Sequence, residues 1–297
     1  MGEKDIAEKN LEAFNDVFAD IVNVLLFKGN KLMKEKDLES AVKDSMFKAD
    51  GKIHQQERDV SKFWKNGEVR ISIFGFENQT KQDSKMPLRV ISYDGASYKQ
   101  QLLDNEKGKK DDTTKKSLYP VVTLVLYFGT DEKWSTHKNL LSCFNVPEEL
   151  KPFVNDYKIN VFNIAWLSDK TIDMFQSDFK IVAKYFQSIR IKKNYKGSTE
   201  EIKHVDALLK MLSALTGDNS FEEVYNVGNL DKGGVTMCEV VEKIKNEGRN
   251  EGVLAGKAEL IRKMLDANFA TEQQIADLLK ISVKEVKKIA AKVPVQA

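Results

Sequence analysis

Two spacings of apolar residues divide the chain. From residue 5 to 27 they recur at three- and four-residue steps, at Ile6, Leu11, Phe14, Phe18, Ile21, Val22, Leu25 and Leu26. That spacing predicts an amphipathic helix, which Gly29 in "KGN" ends. Residues 30–57 hold no sustained period, so a short helix and then loop are expected. At 59–78 the period drops to two. "DVSKFWK" and "EVRISIFGFE" flank Asn66 and Gly67. Asn-Gly tolerates the positive φ that a tight hairpin turn needs at both central positions. A β-hairpin is therefore expected, with Asp59 opening its first strand and Glu77 closing its second.

Residues 86–103 predict a helix with Pro87 in its first turn and Gly95 inside it as a point of close packing. The polar stretch 104–117 predicts a surface loop. "YPVVTLVLYFG" at 119–129 is continuously apolar, as in a strand buried on both faces, with Pro120 at its start. Residues 158–167 predict another strand. Residues 169–186 and 198–215 turn helical, with Ser198 or Thr199 capping the second stretch. After a less ordered passage, a long helix is expected from about Met237. It carries Gly248, Gly252 and Gly256, each costing up to about 1 kcal/mol against alanine. That stripe reads either as close contact with another helix, including one from a second copy, or as a semi-flexible tether. The tail at 271–290 predicts a small helix-turn-helix, capped at Thr271 and Ser282. It would serve as a docking or dimerisation element or present a helix to DNA. The order α, β-hairpin, α, β, β, then helices is that of a mixed α/β protein.

Composition narrows the class. Of 297 residues 41% are hydrophobic and 31% charged, enough for both a core and a soluble surface. The net charge of +2 neither demands nucleic acid nor excludes it. The longest apolar run, 121–128, is far short of the roughly 20 residues of a membrane span. Cys143 and Cys238 are the only thiols, and the charged start "MGEKDIAEKN" lacks an apolar leader. A cytoplasmic protein with no membrane partner is expected. His54, His137 and His204 are isolated and no Cys-x-x-Cys occurs, so zinc is not expected. "GVLAGK" at 252–257 fails as a phosphate loop: it has too few residues between its glycines, and Ala258 stands where Ser or Thr is needed.

The chemistry that remains sits at the hairpin mouth. Asp59 and Glu77 would bring two carboxylates together, and like charges that close need a cation between them. Mg²⁺ is the expected cofactor, because it takes oxygen ligands and binds through one or two carboxylates plus phosphate. The Asn78 carbonyl could add a third ligand. Gln79 shares the strand parity of Glu77 and could hold water or a phosphate oxygen. Lys81 shares it too if the strand continues, and would offset transition-state charge. Equally, these are polar strand ends, with Asp59 paired to Arg58 at the surface.

Four segments carry a family resemblance: "RDVSKFW" (58–64), "GFENQTKQDSKMPLRVISYDGASY" (75–98), "YPVVTLVLYFG" (119–129) with Trp134 following, and "DFKIVAKYF" (178–186). Within them, Glu77-x-Gln79 is followed by Met86, Arg89 and Tyr93 on the next helix. The chain resembles the PD-(D/E)XK nuclease superfamily, and more closely the recombination-promoting nucleases (Rpn), also labelled "putative transposases". The resemblance covers roughly residues 10–220. It implies a restriction-endonuclease-like mixed sheet flanked by helices, with a C-terminal helical appendage. It implies a Mg²⁺-dependent DNA endonuclease linked to recombination or mobile elements. Asp59 and Glu77 would be metal ligands, and Gln79 stands where most of the superfamily has lysine. An acid on the first helix, Asp16 or Asp20, would join them, with Asp16 preferred. Arg89 and Tyr93 would brace the site, or pack the helix. DNA is the implied partner. The domains expected are a nuclease-like domain at 1–225, a linker and long helix at 226–268, and the tail at 269–297. The alternative is a catalytically weak or inactive relative acting as a DNA-binding or assembly module; in either case a second copy, joined through the C-terminal helix, is a candidate partner.

Overall fold

The computed structural model describes residues 11–40, 44–49, 52–57, 60–65, 69–74, 81–107, 118–192, 195–227 and 234–291, with 44–49, 52–57, 70–74, 106 and 107 described by their backbone alone. The first helix, α1 (Asn15–Leu25), follows a 3-10 turn at Leu11–Ala13. It starts later than its period suggests, and residues 5–10 lie outside the described residues. Val17, Phe18, Ile21 and Val22 are buried, which is the apolar stripe turned inward. Gly29 ends this passage at φ +88°, its amide donating to the Asn23 carbonyl at 2.9 Å. A side chain there would also meet Met174 Sδ at 2.8 Å. Asn23 closes the loop that follows, bonding Met33 through both its amide nitrogen (2.8 Å) and its oxygen (2.9 Å).

Residues 30–57 correct the expectation of helix and loop. They contain a strand β1 (Leu38–Ser40) and an antiparallel pair, β2 (Asp44–Ala49) and β3 (Lys52–Glu57). "KIHQQE" holds one aliphatic residue, so no alternation betrays β3. The ladder to β2 defines it instead. The expected hairpin is present as β4 (Val60–Trp64) and β5 (Val69–Phe74), antiparallel. The turn residues Asn66 and Gly67 lie outside the described residues. With β6 (Val121–Tyr127) and β7 (Asn160–Asn163) these strands form a five-stranded sheet in the order β1-β4-β5-β6-β7. The β5–β6 and β6–β7 pairs are parallel. Parallel neighbours need a long crossover, and α2 (Met86–Lys107) provides it between β5 and β6.

Side chains alternate across a strand, so β6 serves both faces of the sheet. Val125 and Tyr127 pack with Met86, Val90 and Tyr93 of α2 and with Trp134 and Ile159. Buried Asp94 on α2 also accepts from Thr123 Oγ1 at 2.6 Å and from the Tyr157 hydroxyl, tying helix to sheet. Just past the strand, Phe128 meets Phe179 and Phe186 of α4 (Phe179–Arg190). Leu124, Val125 and Leu126 are fully buried, as the continuous apolar run implies.

Several boundaries shift. The strand expected at 158–167 shortens to β7 and a 3-10 turn, Ile164–Trp166. The helix expected at 169–186 divides into α3 (Asp169–Ile172) and α4. The next, α5 (Val205–Thr216), begins at His204 and not at Ser198 or Thr199. Ser198 Oγ instead takes the Glu200 amide at 3.1 Å. A further helix, α6 (Ser220–Val227), lies where irregular chain was expected. Helix α2 runs four residues past its expected end, and Gly95 faces open space, so it serves no close packing.

The chain divides into two compact units, Met1–Met237 and Cys238–Ala297. The second holds most of α7 (Met237–Asp266), then α8 (Glu272–Leu279) and α9 (Val283–Ala290). Capping boxes start α8 and α9. Thr271 Oγ1 accepts the Gln274 amide while Gln274 Oε1 accepts that of Thr271, and Ser282 and Glu285 do the same. Ile261 of α7 joins Ile275, Ala276 and Val286 of α8 and α9 in the core of this unit. Among the described residues, no helix is long and apolar enough to cross a membrane.

Candidate functional site

Because β5, β6 and β7 are parallel, their C-terminal ends share one edge of the sheet. Val60, at the start of antiparallel β4, pairs with Ile73 near the end of β5 and so lies at that edge. In sheets of parallel strands the crevice outside the carboxyl ends is where ligands bind. Asp59, Glu77, Asn78 and Gln79 lie outside the described residues. Lys81 is described, exposed in a bend and not on the β5 ladder.

The chain that leaves each of these strands is tied to its neighbours. Gln82 uses its whole amide: Nε2 donates to Glu132 Oε1 at 2.5 Å, and Oε1 accepts from the amides of Ser135 (2.7 Å) and Thr136 (2.9 Å). The Trp134 amide donates to Asn163 Oδ1 at 2.7 Å, and Trp166 Nε1 donates to the Gly129 carbonyl at 3.1 Å. Lys133 and Arg190 stand over the Trp166 ring, 5.5 and 4.6 Å from its centre. Behind this edge Asp83 accepts from the Lys85 amide at 2.8 Å and pairs with Arg89 at 3.2 Å, fixing the start of α2. Tyr93 lies in the core beside Tyr127 and Trp134, so it packs the helix.

The acids of the first helix are drawn in different directions. Asp16 lies 2.7 Å from Lys203 Nζ and 3.1 Å from His204 Nε2, whose ring stacks on Phe14. Asp20 accepts from the amides of Gln176 and Ser177 at 2.8 Å and from Ser177 Oγ at 2.7 Å. Both carboxylates thus hold helical segments together. A third acid, Glu12, is completely buried in the turn before α1. Three residues later Asn15 accepts from Lys62 on β4 at 2.6 Å, so this part of the chain packs on the sheet. A carboxylate withdrawn from water needs a cation, a metal or a proton to be tolerated. Glu12 is off the apolar stripe, and no periodicity marks it as buried. Gln82 is one amide in a polar stretch, and only the fold brings Glu132, Lys133, Ser135 and Thr136 to it.

Burial raises the Asp16 pKa, but hydrogen bonds from Lys203 and His204 outweigh it and hold the carboxyl below the ordinary aspartate value. A depressed folded-state pKa stabilises the protein above the unfolded value near 3.8, and that stability is lost as pH falls through the folded value. Lys203 is largely exposed, so the pair contributes modestly. Asp16→Asn is expected to cost about 0.5–1 kcal/mol at pH 7. Thermal melts should show the deficit shrinking below about pH 4. A deficit that grows in acid would contradict this assignment.

Among the described residues, no group of three His, Cys, Asp or Glu side chains stands close enough to hold a metal ion. Asp59 and Glu77, the carboxylates expected to hold Mg²⁺, lie outside the described residues, and oxygen donors of their kind are those that Mg²⁺ prefers.

No curated protein and no solved structure matches the chain. Residues 65–216, about half of the chain, match the family described as "Putative transposase, YhgA-like". That span runs from the end of β4 through α5, and so takes in the β5–α2–β6 crossover, the Gln82 clamp and the strand ends around them. The chain belongs to this YhgA-like transposase family.

Proposed function

We propose that the protein is a Mg²⁺-dependent DNA endonuclease of restriction-endonuclease-like fold, acting in the cytoplasm on DNA of recombination or mobile elements. One observation carries the reading. The pairing of Val60 with Ile73 means that the chain enters β4 and leaves β5 at a single edge. Asp59 and Glu77 flank those two points in sequence. In this reading Asp59, Glu77 and the Asn78 carbonyl hold Mg²⁺. When bound, the ion supplies Lewis acidity and lowers the pKa of a coordinated water. Gln79 orients that water or a phosphate oxygen, and Lys81 neutralises charge developing on the phosphate. An acid of the first helix completes the set. The candidates are Asp16, preferred, and Asp20, four residues apart on α1.

A second reading rests on Gln79 and on the bend at Lys81. Neither supplies the strand-borne ammonium that most of the superfamily uses. The protein would then bind DNA or assemble through α8 and α9 without cutting. The test is supercoiled plasmid mixed with the full chain and Mg²⁺, with EDTA and Glu77→Ala as controls. Mg²⁺-dependent nicking that Glu77→Ala abolishes supports the nuclease. Nicking unaffected by Glu77→Ala sinks it. An absence of nicking, together with no Mg²⁺-dependent rise in Tm, selects the second reading.

A further inference from the structure

The middle of α7 poses a physical problem. Residues 245–257 are helical, yet every one of them is exposed. An unsupported helix of that length is marginal in water. Gly248, Gly252 and Gly256 weaken it further, by about 1 kcal/mol each. Val253, Leu254 and Leu260 are apolar and about half exposed. Packing against another surface would offset these costs.

The charge pattern identifies that surface. Counting outward from Gly252, Lys245 lies seven residues before it and Glu259 seven after. Glu242 lies ten before and Arg262 ten after, and Ile244 and Leu260 are related in the same way. At about 100° per residue, all six fall within about 80° of Gly252 around the helix, on the glycine side. Reversal about Gly252 therefore sets lysine against glutamate, glutamate against arginine, and isoleucine against leucine. The remaining charged pair related by the reversal, Glu247 and Lys257, is also of opposite sign. A parallel copy in register would instead set each charge against itself.

We infer that α7 pairs with the α7 of a second copy of this chain, antiparallel, with Gly252 at the two-fold axis. The paired stretch, 242–262, is about 31 Å long. Nothing lies within 4 Å of where a Cβ would stand on Gly248, Gly252 or Gly256, so the partner helix can approach the backbone closely. The glycines that weaken the isolated helix are what allow the dimer to pack. The isologous contact closes at two copies.

Sedimentation velocity on the full chain tests this. The wild type should sediment as a dimer of the 33.8 kDa protomer at micromolar concentration. Lys245→Glu and Glu259→Lys should each weaken association about tenfold or more, by setting like charges together. The double charge swap should restore it. Both positions are exposed, so the variants should keep the wild-type circular dichroism. A monomeric wild type, single swaps that associate normally, or a double swap that fails to recover would each overturn the antiparallel dimer.

Discussion

Replacing Glu77 with alanine is expected to lower Mg²⁺-dependent plasmid cleavage by about a thousandfold. The size of the effect follows from the proposed division of labour. Asp59 and Glu77 would be the two carboxylates supplied by the strands, and removing one takes away half of the charge that the strands contribute to holding the ion. Gln79 cannot compensate, because a neutral amide neither binds Mg²⁺ as strongly nor lowers the pKa of water by itself. Glu77→Gln keeps the shape and removes the charge, so it should fail nearly as completely. Without metal, two nearby carboxylates repel each other, so neither substitution should lower Tm in EDTA. The Mg²⁺-dependent rise in Tm should disappear in both. A variant that loses activity and also melts early in EDTA would mark Glu77 as a folding residue instead. Cleavage within about tenfold of wild type would leave the proposed metal site without its main ligand.

Gly129→Ala is expected to destabilise the first unit by about 3 kcal/mol, among the larger effects of single substitutions. A Cβ at Gly129 would stand 2.1 Å from the Tyr127 ring, closer than any atoms pack. The ring has nowhere to go. Tyr127 is 2% exposed, meets Trp134 edge-on at 5.3 Å, and belongs to the cluster that joins α2 to β6. Overpacking such a site forces the backbone or the ring to shift. The Gly129 carbonyl also accepts from Trp166 Nε1, so a backbone shift would loosen the chain beyond β7. For a unit of this size the cost corresponds to a fall in Tm of about 6–12 °C. Tyr127→Phe/Gly129→Ala should not rescue it, because ring carbon atoms as well as the hydroxyl occupy that space. A Tm within a degree of wild type would show that the ring can move after all.

Periodicity made much of the fold legible. The apolar steps of α1, the alternation around β4 and β5, the continuous run of β6 and the capped helices α8 and α9 all carry local signals, and the structure contains each. The hidden elements are those whose stability comes from partners distant in sequence. The "DSMFKA" and "KIHQQE" strands carry no alternating face, and their ladder to each other makes them strands. Helix α5 starts at His204 because Asp178 accepts the Lys203 and His204 amides at 3.1 and 2.7 Å, from 25 residues or more away. No cap residue in the local sequence announces that start.

The site divides along the same line. The amino acids alone determined which residue types are available for chemistry: the carboxylates of Asp59 and Glu77, the amide of Gln79, three histidines and two cysteines far apart in sequence, and charges that invert about Gly252. These are properties of composition and spacing, and they persist in any conformation. Tertiary structure decided how the acids of the first helix are used. Asp16 and Asp20 read alike in "NDVFADIVN", four residues apart on one helix face. Packing gave Asp16 a lysine and a histidine, gave Asp20 the turn before α4, and buried Glu12 completely. A carboxylate's role depends on the cations, amides and water around it. The neighbours of Asp20 arrive from 176–177 and those of Asp16 from 203–204, and only folding brings them within reach.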